Sequence, residues 1–95
     1  MGAFAAGSVV LAEADRDDLI LCQVTSQARF DGYSIPLAAQ DLQGGSLHMD
    51  SFVRPNRLFT VHQSVILRSV GRVTMEKLDQ VLAATAALFR TSTKS

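Results

Sequence analysis

The sequence predicts a mainly β domain that ends in one α-helix, as a small β-barrel or curled sheet with the helix packed on it. Short aliphatic and β-branched runs separated by turn signals occupy residues 8–70. After Gly71 the hydrophobic period changes to that of a helix. With 95 residues, 47% of them hydrophobic, the chain is long enough for one core and too short for two. We therefore expect one domain over residues 1–95, with a β core at 8–73 and a helix at 74–90.

The first two strands are predicted to form a β-hairpin. Ser8–Ala12 and Asp18–Val24 are apolar runs, and the polar segment EADRDD between them is a turn signal. Both runs are nearly continuous in apolar residues, which is typical of strands covered on both faces.

Four further short strands are predicted, with a loop around Gly44 and Gly45 between the first and the second. Pro55 should interrupt the sheet, because proline donates no backbone hydrogen bond, and Arg54 and Arg57 would then flank the break. The four strands are expected near Tyr33–Leu37, Leu47–Val53, Leu58–Val61 and Val65–Val70.

The C-terminal helix is predicted from apolar residues at helical spacing. Thr74 is the expected N-cap and Glu76 places a negative charge in the first turn. The small apolar stretch AATAAL is expected in the core, with any exposed part of it available as a dimer face. The apolar positions are Met75, Leu78, Val81, Leu82 and Leu88.

Composition limits the classes of function. Nine basic and nine acidic residues give a formal net charge of zero, which argues against a general polyanion binder. The charge is uneven, however: residues 1–50 sum to −5 and residues 51–95 to +5, which leaves room for a local anion site in the second half. No apolar run is long enough to span a bilayer and no secretory signal is present, so we expect a cytoplasmic protein. Cys22 is the only cysteine, which excludes an internal disulfide and the paired-cysteine type of zinc site.

Two groups of polar residues are candidates for a binding site. The stretch QVTSQ, Gln23–Gln27, ends the most apolar strand. Its hydroxyl and amide groups would contact a ligand, or Thr25 and Ser26 would satisfy nearby backbone groups. Arg54 and Arg57 would either clamp a phosphate or lie on a solvated turn. His48 and His62 are potential acids or bases, but nothing in the sequence connects either to Ser26 as in a catalytic triad.

Two stretches of the sequence and the spacing between them point to a known family. The first is DLILCQVTSQ at 18–27, and the second is the block VRPNRLFTV followed by VGRVT and KL within residues 50–84. Together they resemble the MazF/PemK family of type II toxin–antitoxin toxins. The resemblance covers roughly residues 8–90. It implies an SH3-like barrel with a C-terminal helix, a homodimer, and a cofactor-free, metal-independent endoribonuclease that cleaves single-stranded mRNA at a specific sequence. It also implies an antitoxin that lays a segment along the RNA groove.

The resemblance assigns roles to particular residues. Thr25 and Arg54 match catalytic positions of the family. Asn56 stands where the family has an aspartate, and an amide cannot act as a carboxylate base. The expected RNA-binding residues are Ser26, Gln27, Arg29, Asn56 and Arg57.

The N-terminus departs from the family pattern. An Arg-Pro pair of the family aligns with Ala6 and Gly7, so a second catalytic arginine has no counterpart. The chain is expected to be shortened there, which leaves a strand edge unpaired unless Met1–Gly7 or a partner covers it. We therefore predict a toxin with reduced nuclease activity. The alternatives are a non-catalytic homologue that binds RNA or antitoxin and, less favoured, a gyrase-directed toxin of the related CcdB type.

Overall fold

The computed structural model describes residues 2–5, 7–27, 32–45, 47, 49–66 and 71–91. Within these ranges the chain forms seven β-strands, two short 3-10 turns and one α-helix, α1, at Met75–Thr91. The strands are β1 (Ala3–Ala5), β2 (Ser8–Ala14), β3 (Asp18–Thr25), β4 (Ile35–Leu37), β5 (Leu42–Gln43), β6 (Ser51–His62) and β7 (Gly71–Val73).

All seven strands belong to one antiparallel sheet that curls into a half-barrel. The strand order is β4-β6-β3-β2-β1-β7-β5. The predicted hairpin is β2 and β3, and it lies at the centre of this order. The mainly β fold with a C-terminal helix, consistent with a MazF-type barrel, is therefore confirmed.

The N-terminal residues cover the edge of the hairpin. Strand β1 pairs with β2 through Phe4 and Val9, and with β7 through Ala3 and Arg72. The Gly2 amide also donates to the Val10 carbonyl oxygen at 2.7 Å. Residues before Ser8 therefore form the strand that covers the edge expected to be open, and this strand, β1, joins β2 to β7.

The prediction of separate strands on either side of Pro55 is wrong, because β6 is one strand of 12 residues. The ladder between β3 and β6 is interrupted, but only locally: Gln23 pairs with Arg54, whereas the preceding residue, Cys22, pairs with Leu58. Residues 55–57 therefore form a bulge, and a proline fits there because no ladder hydrogen bond is required of it.

The strand predicted near Val65–Val70 also differs from the structure, and two short strands were missed. The strand expected near Val65–Val70 begins instead as a 3-10 turn at Gln63–Val65, and residues 67–70 lie outside the described part of the chain. The short strands β5 and β7 were not predicted. They pair with each other where Gly71 packs closely on the loop, since a Cβ there would lie 3.1 Å from the Cα atom of Gly45.

The helix begins at its predicted cap and packs on the sheet through part of its apolar face. The Thr74 hydroxyl oxygen accepts a hydrogen bond from the Lys77 amide at 3.2 Å. Leu78 and Val81 are buried, whereas Met75 and Leu82 are exposed. The stretch AATAAL, expected in the core, is only partly covered, since Ala83, Ala86 and Ala87 are exposed. The core consists of Phe4, Val9, Leu11, Cys22, Ile35, Leu37, Val53, Val73, Leu78 and Val81.

Cys22 is part of this core. Burial raises the pKa of its thiol to about 12, which keeps the sulfur protonated at neutral pH. Because the thiolate is the reactive form, Cys22 has a packing role and is not a nucleophile.

Candidate nucleic-acid interface

The register of β3 and β6 places Thr25 and Arg54 on the same face of the sheet. Gln23 lies opposite Arg54, and Thr25 lies opposite Phe52. Directly opposite residues of an antiparallel pair point to the same side, and residues two apart on one strand share a face. Thr25 and Arg54 are therefore diagonal neighbours, with side chains about 7–8 Å apart at their bases. This is the face opposite the one that carries Cys22, Val53 and the core.

Thr25 ends β3 and makes one local hydrogen bond. Its hydroxyl oxygen accepts from the Gln27 amide at 3.2 Å, which stabilises the bend after the strand. The hydroxyl hydrogen is not used in that contact, because the oxygen is the acceptor. The arrangement fits the interpretation that Thr25 only satisfies a backbone group at the end of the strand. It also leaves the Thr25 hydroxyl able to donate a hydrogen bond to an anionic oxygen.

Arg54 is held more rigidly than a surface arginine. Its side chain is half-buried and its Nε atom is screened from solvent. The strand on which it stands is paired on both sides, with β3 and with β4. A guanidinium fixed in this way loses less conformational entropy when it binds an anion than a freely rotating one would.

The bulge turns the next polar residues outward. Pro55 is fully buried and anchors the bulge on the core side, whereas Asn56 and Arg57 are exposed. The two residues therefore lie at the surface beside Arg54, as the sequence suggested, but on a bulge within a continuous strand.

An open groove of about 590 Å³ lies next to these residues. One side of it belongs to the turn between β1 and β2, where Gly7 has a φ of 73° and its carbonyl oxygen accepts from the Val24 amide at 2.8 Å. The other side belongs to β6 and carries Arg57. The residues that line the groove are Gly7, Ser8, Gln23, Val24, Arg57, Leu58 and Phe59.

The remaining predicted RNA-binding residues are distributed unevenly. Ser26 and Gln27 are exposed on the bend that follows β3. Arg29 lies outside the described residues. Ser26 and Gln27 thus adjoin Thr25 directly, at the same end of the strand.

His62 does not contribute to this cluster. His62 pairs with Asp18, seven residues along β3 from Thr25, which corresponds to about 23 Å of strand. There its ring contacts the Ser64 hydroxyl at 2.8 Å and approaches Asp17 at 3.7 Å, as part of a corner between β6 and the hairpin turn. His48 lies outside the described residues.

Gln23 and Phe59 both line the groove, but the sequence singled out only Gln23, as the start of the candidate stretch Gln23–Gln27. Gln23 begins the polar stretch that ends β3, and its position in an otherwise apolar strand was the available signal. Phe59 gave no signal, because simple alternation from Arg54 would put Leu58 on that face. The three bulge residues reverse the alternation, so that Phe59, opposite Leu21, shares the face with Arg54 and Gln23.

Neither a metal-binding cluster nor a membrane-spanning helix occurs among the described residues. They contain no group of three or more histidine, cysteine, aspartate or glutamate side chains arranged to hold a metal ion. Nor is any helix among them long and apolar enough to cross a membrane.

Comparison with protein families decides the assignment. Residues 8–89 match the family described as PemK-like, MazF-like toxin of type II toxin-antitoxin system. The chain belongs to the MazF/PemK toxin family. A comparison with curated proteins gave no significant match.

The range matched to the MazF/PemK family includes both strands of the candidate interface. The matched range includes β3, β6 with its bulge, and almost all of α1. The protein is therefore a toxin of the type II toxin–antitoxin class, and an antitoxin is its expected partner. The resemblance seen in the sequence is confirmed at the level of the family.

Proposed function

We propose that the protein is a sequence-specific endoribonuclease that cleaves single-stranded mRNA and is active as a homodimer in the cytoplasm. The observation that supports this most strongly is the placement of Thr25 and Arg54, the two residues matched to family catalytic positions, on one face of adjacent strands. The groove beside them is open and carries Arg57. A groove with cationic donors on a rigid sheet suits a flexible, anionic single strand.

The reaction needs no cofactor. The ribose 2′-oxygen attacks the adjacent phosphorus, the bond from phosphorus to the 5′-oxygen breaks, the 2′-hydroxyl loses its proton and the leaving oxygen gains one. Arg54 would stabilise the negative charge on the phosphorane, and Thr25 would donate a hydrogen bond to a phosphate oxygen. Asn56 and Arg57, together with Ser26, Gln27 and Arg29, would bind the flanking RNA.

The cleavage rate is expected to be lower than in family members with the complete set of catalytic residues. Ala6 and Gly7 stand in place of the Arg-Pro pair, and Gly7 lines the groove beside Val24. Alanine at position 6 cannot supply the second cation, and loss of one such donor typically costs on the order of a hundredfold in rate. Asn56 in place of an aspartate also removes a potential proton acceptor.

The test of this proposal is RNA cleavage by the purified protein. Labelled single-stranded RNA of mixed sequence is incubated with the protein in the presence of EDTA, and the products are mapped. Thr25→Ala and Arg54→Ala should each lower the rate on the order of a hundredfold. Arg72→Ala is the matched control, since Arg72 is exposed on β7, away from β3 and β6. Circular dichroism checks that each variant is folded.

Two results would change the proposal. Activity equal to that of a family member with the Arg-Pro pair, still abolished by Arg54→Ala, would contradict the reduced rate. No cleavage at all, together with tight binding of RNA or of the antitoxin, would favour the non-catalytic alternative. The observation that favours this alternative is the presence of Ala6 and Gly7 where the family has the Arg-Pro pair.

The surface proposed for the homodimer is the outer stripe of α1. Met75, Leu82 and Phe89 are 73%, 38% and 61% exposed and lie seven residues apart, which places them nearly in line along the helix. The stripe is symmetric about Leu82. A second copy packed antiparallel, with Leu82 against Leu82, would place each Met75 against the other copy's Phe89, a favourable sulfur–aromatic pair. It would also bring Glu76 of the first turn towards Arg90 of the last turn.

A further inference from the structure

Phe59 is an exposed aromatic residue in a place where the fold makes exposure unexpected. It lies within the longest strand, opposite the fully buried Leu21, and yet 41% of its surface is exposed. The bulge at residues 55–57 is the reason that its ring, and not the side chain of Leu58, is on the face of Arg54 and Gln23. The bulge therefore places an aromatic ring at the groove.

The groove combines three kinds of group around that ring. Arg57 supplies a permanent positive charge, the exposed Gln23 supplies an amide that both donates and accepts hydrogen bonds, and Phe59 supplies a flat apolar surface. On the opposite wall, Gly7 has no side chain, so backbone atoms line the groove at that position. A flat ring between a cation and an amide matches a nucleotide, whose base can stack while its phosphate meets the cation and its base edge meets the amide.

We propose that Phe59 is the stacking platform for one base of the bound single-stranded RNA, and that Gln23 reads the edge of that base or its neighbour. The proposal rests on the proposed function in that it takes RNA as the ligand of the groove. It adds a specificity-determining position that neither family membership nor the matched catalytic residues assign.

The position of the platform relative to Arg54 fits one step along a nucleic-acid strand. Phe59 and Arg54 lie opposite Leu21 and Gln23, which are two residues apart on β3. This separation is about 6.6 Å along the strand. A base stacked on Phe59 therefore belongs to a nucleotide adjacent to the phosphate held at Arg54, where its identity can influence which bond is cleaved.

The experiment measures binding apart from cleavage. The RNA is a single strand with 2′-O-methyl riboses, which cannot be cleaved. A set of such RNAs carries 2-aminopurine at a different single position in each, because the fluorescence of this base falls when it stacks. Phe59→Ala should weaken binding on the order of tenfold and abolish the quenching at one site. Phe59→Leu, which keeps the apolar bulk opposite Leu21 without a ring, should behave in the same way. Phe59→Tyr should retain both the RNA affinity and the quenching of 2-aminopurine fluorescence. Val65→Ala is the control, since Val65 is an exposed apolar residue outside the groove.

Each outcome bears on the proposal. Weaker binding and lost quenching in the Ala and Leu variants, restored by Tyr, would support the platform. Unchanged RNA binding in Phe59→Ala and Phe59→Leu, with weaker binding in Arg54→Ala, would overturn the platform but leave the proposed function intact. Loss of antitoxin binding in those variants without any loss of RNA binding would assign Phe59 to a protein contact and also overturn it. Absence of RNA binding by the unaltered protein would contradict both proposals.

Discussion

At the scale of single residues, the candidate site depends on where two strands end and bulge. Thr25 is the last residue of β3, and Arg54 is the last residue of β6 before the bulge. The sequence indicated both positions, because polar side chains after a buried strand and arginines around a proline stand out in an apolar background. Their catalytic roles came from the family resemblance and not from the spacing. Their proximity could not be predicted, because it depends on the pairing of residues about thirty positions apart.

A gain of activity is predicted for Ala6→Arg. The substitution would restore a cation next to Gly7, whose carbonyl oxygen bonds to the Val24 amide beside Thr25. Because one such donor typically contributes on the order of a hundredfold, the cleavage rate should rise by at least about tenfold. Gly7 itself is left unchanged, since its φ of 73° is incompatible with proline.

The control for this gain is Ala39→Arg, which adds the same charge at an exposed position of a 3-10 turn. The rates are compared on one RNA under single-turnover conditions. If Ala6→Arg is no faster than Ala39→Arg, the absence of the second arginine does not limit the reaction.

At the scale of secondary-structure elements, local signals were reliable and long-range ones were not. The hairpin and the helix followed from hydrophobic period and capping, which depend on neighbours in sequence. The continuity of β6 through Pro55 did not, because whether a proline breaks a strand depends on what lies opposite, and here the bulge leaves its position without a ladder partner. The short strands β5 and β7 exist through the pairing of Leu42 with Val73, which no local pattern indicates.

The start of α1 is attached to β4 and the following turn by Lys77. Its Nζ atom donates to the Pro36 carbonyl oxygen at 2.9 Å and lies 3.7 Å from Asp41 Oδ2, and its side chain is only 12% exposed. Lys77→Met should lower the free energy of unfolding by about 1–2 kcal/mol, because the hydrogen bond from a charged group is lost while the aliphatic packing is kept.

Urea denaturation followed by circular dichroism measures this change. Gln80→Met, on the exposed side of the same helix, introduces the same side chain without removing a tertiary contact. A Lys77→Met protein as stable as Gln80→Met would show that the contact contributes nothing.

At the scale of the whole molecule, the curled sheet and the outer face of α1 determine what is available to partners. Strand β1 joins β2 to β7 and so removes an edge that would otherwise be open. The stripe of α1 stays exposed, because Leu78 and Val81 are the two helix residues with described side chains that are buried in the core. The sequence predicted the helix and its apolar residues but placed the whole AATAAL stretch in the core, where only part of it packs, since periodicity alone does not show how wide a face the sheet can cover.

The homodimer is predicted to depend on this stripe. Leu82→Asp places two carboxylates opposite each other at the symmetry axis, where repulsion and desolvation should weaken association by at least about tenfold. Sedimentation velocity over a range of concentrations measures the change. Ala83→Asp is the matched control, because residue 83 is exposed but turned about 100° from the stripe. A dimer equally stable in both variants would place the interface elsewhere.

The most direct test of the account as a whole is the ratio of single-turnover cleavage rates for the unaltered protein and Arg54→Ala on the same single-stranded RNA. We expect slow endonucleolytic cleavage by the unaltered protein in EDTA and a rate on the order of a hundredfold lower for Arg54→Ala, with RNA ends that carry a cyclic phosphate. Equal rates for the two proteins would contradict a site built on the face of β3 and β6.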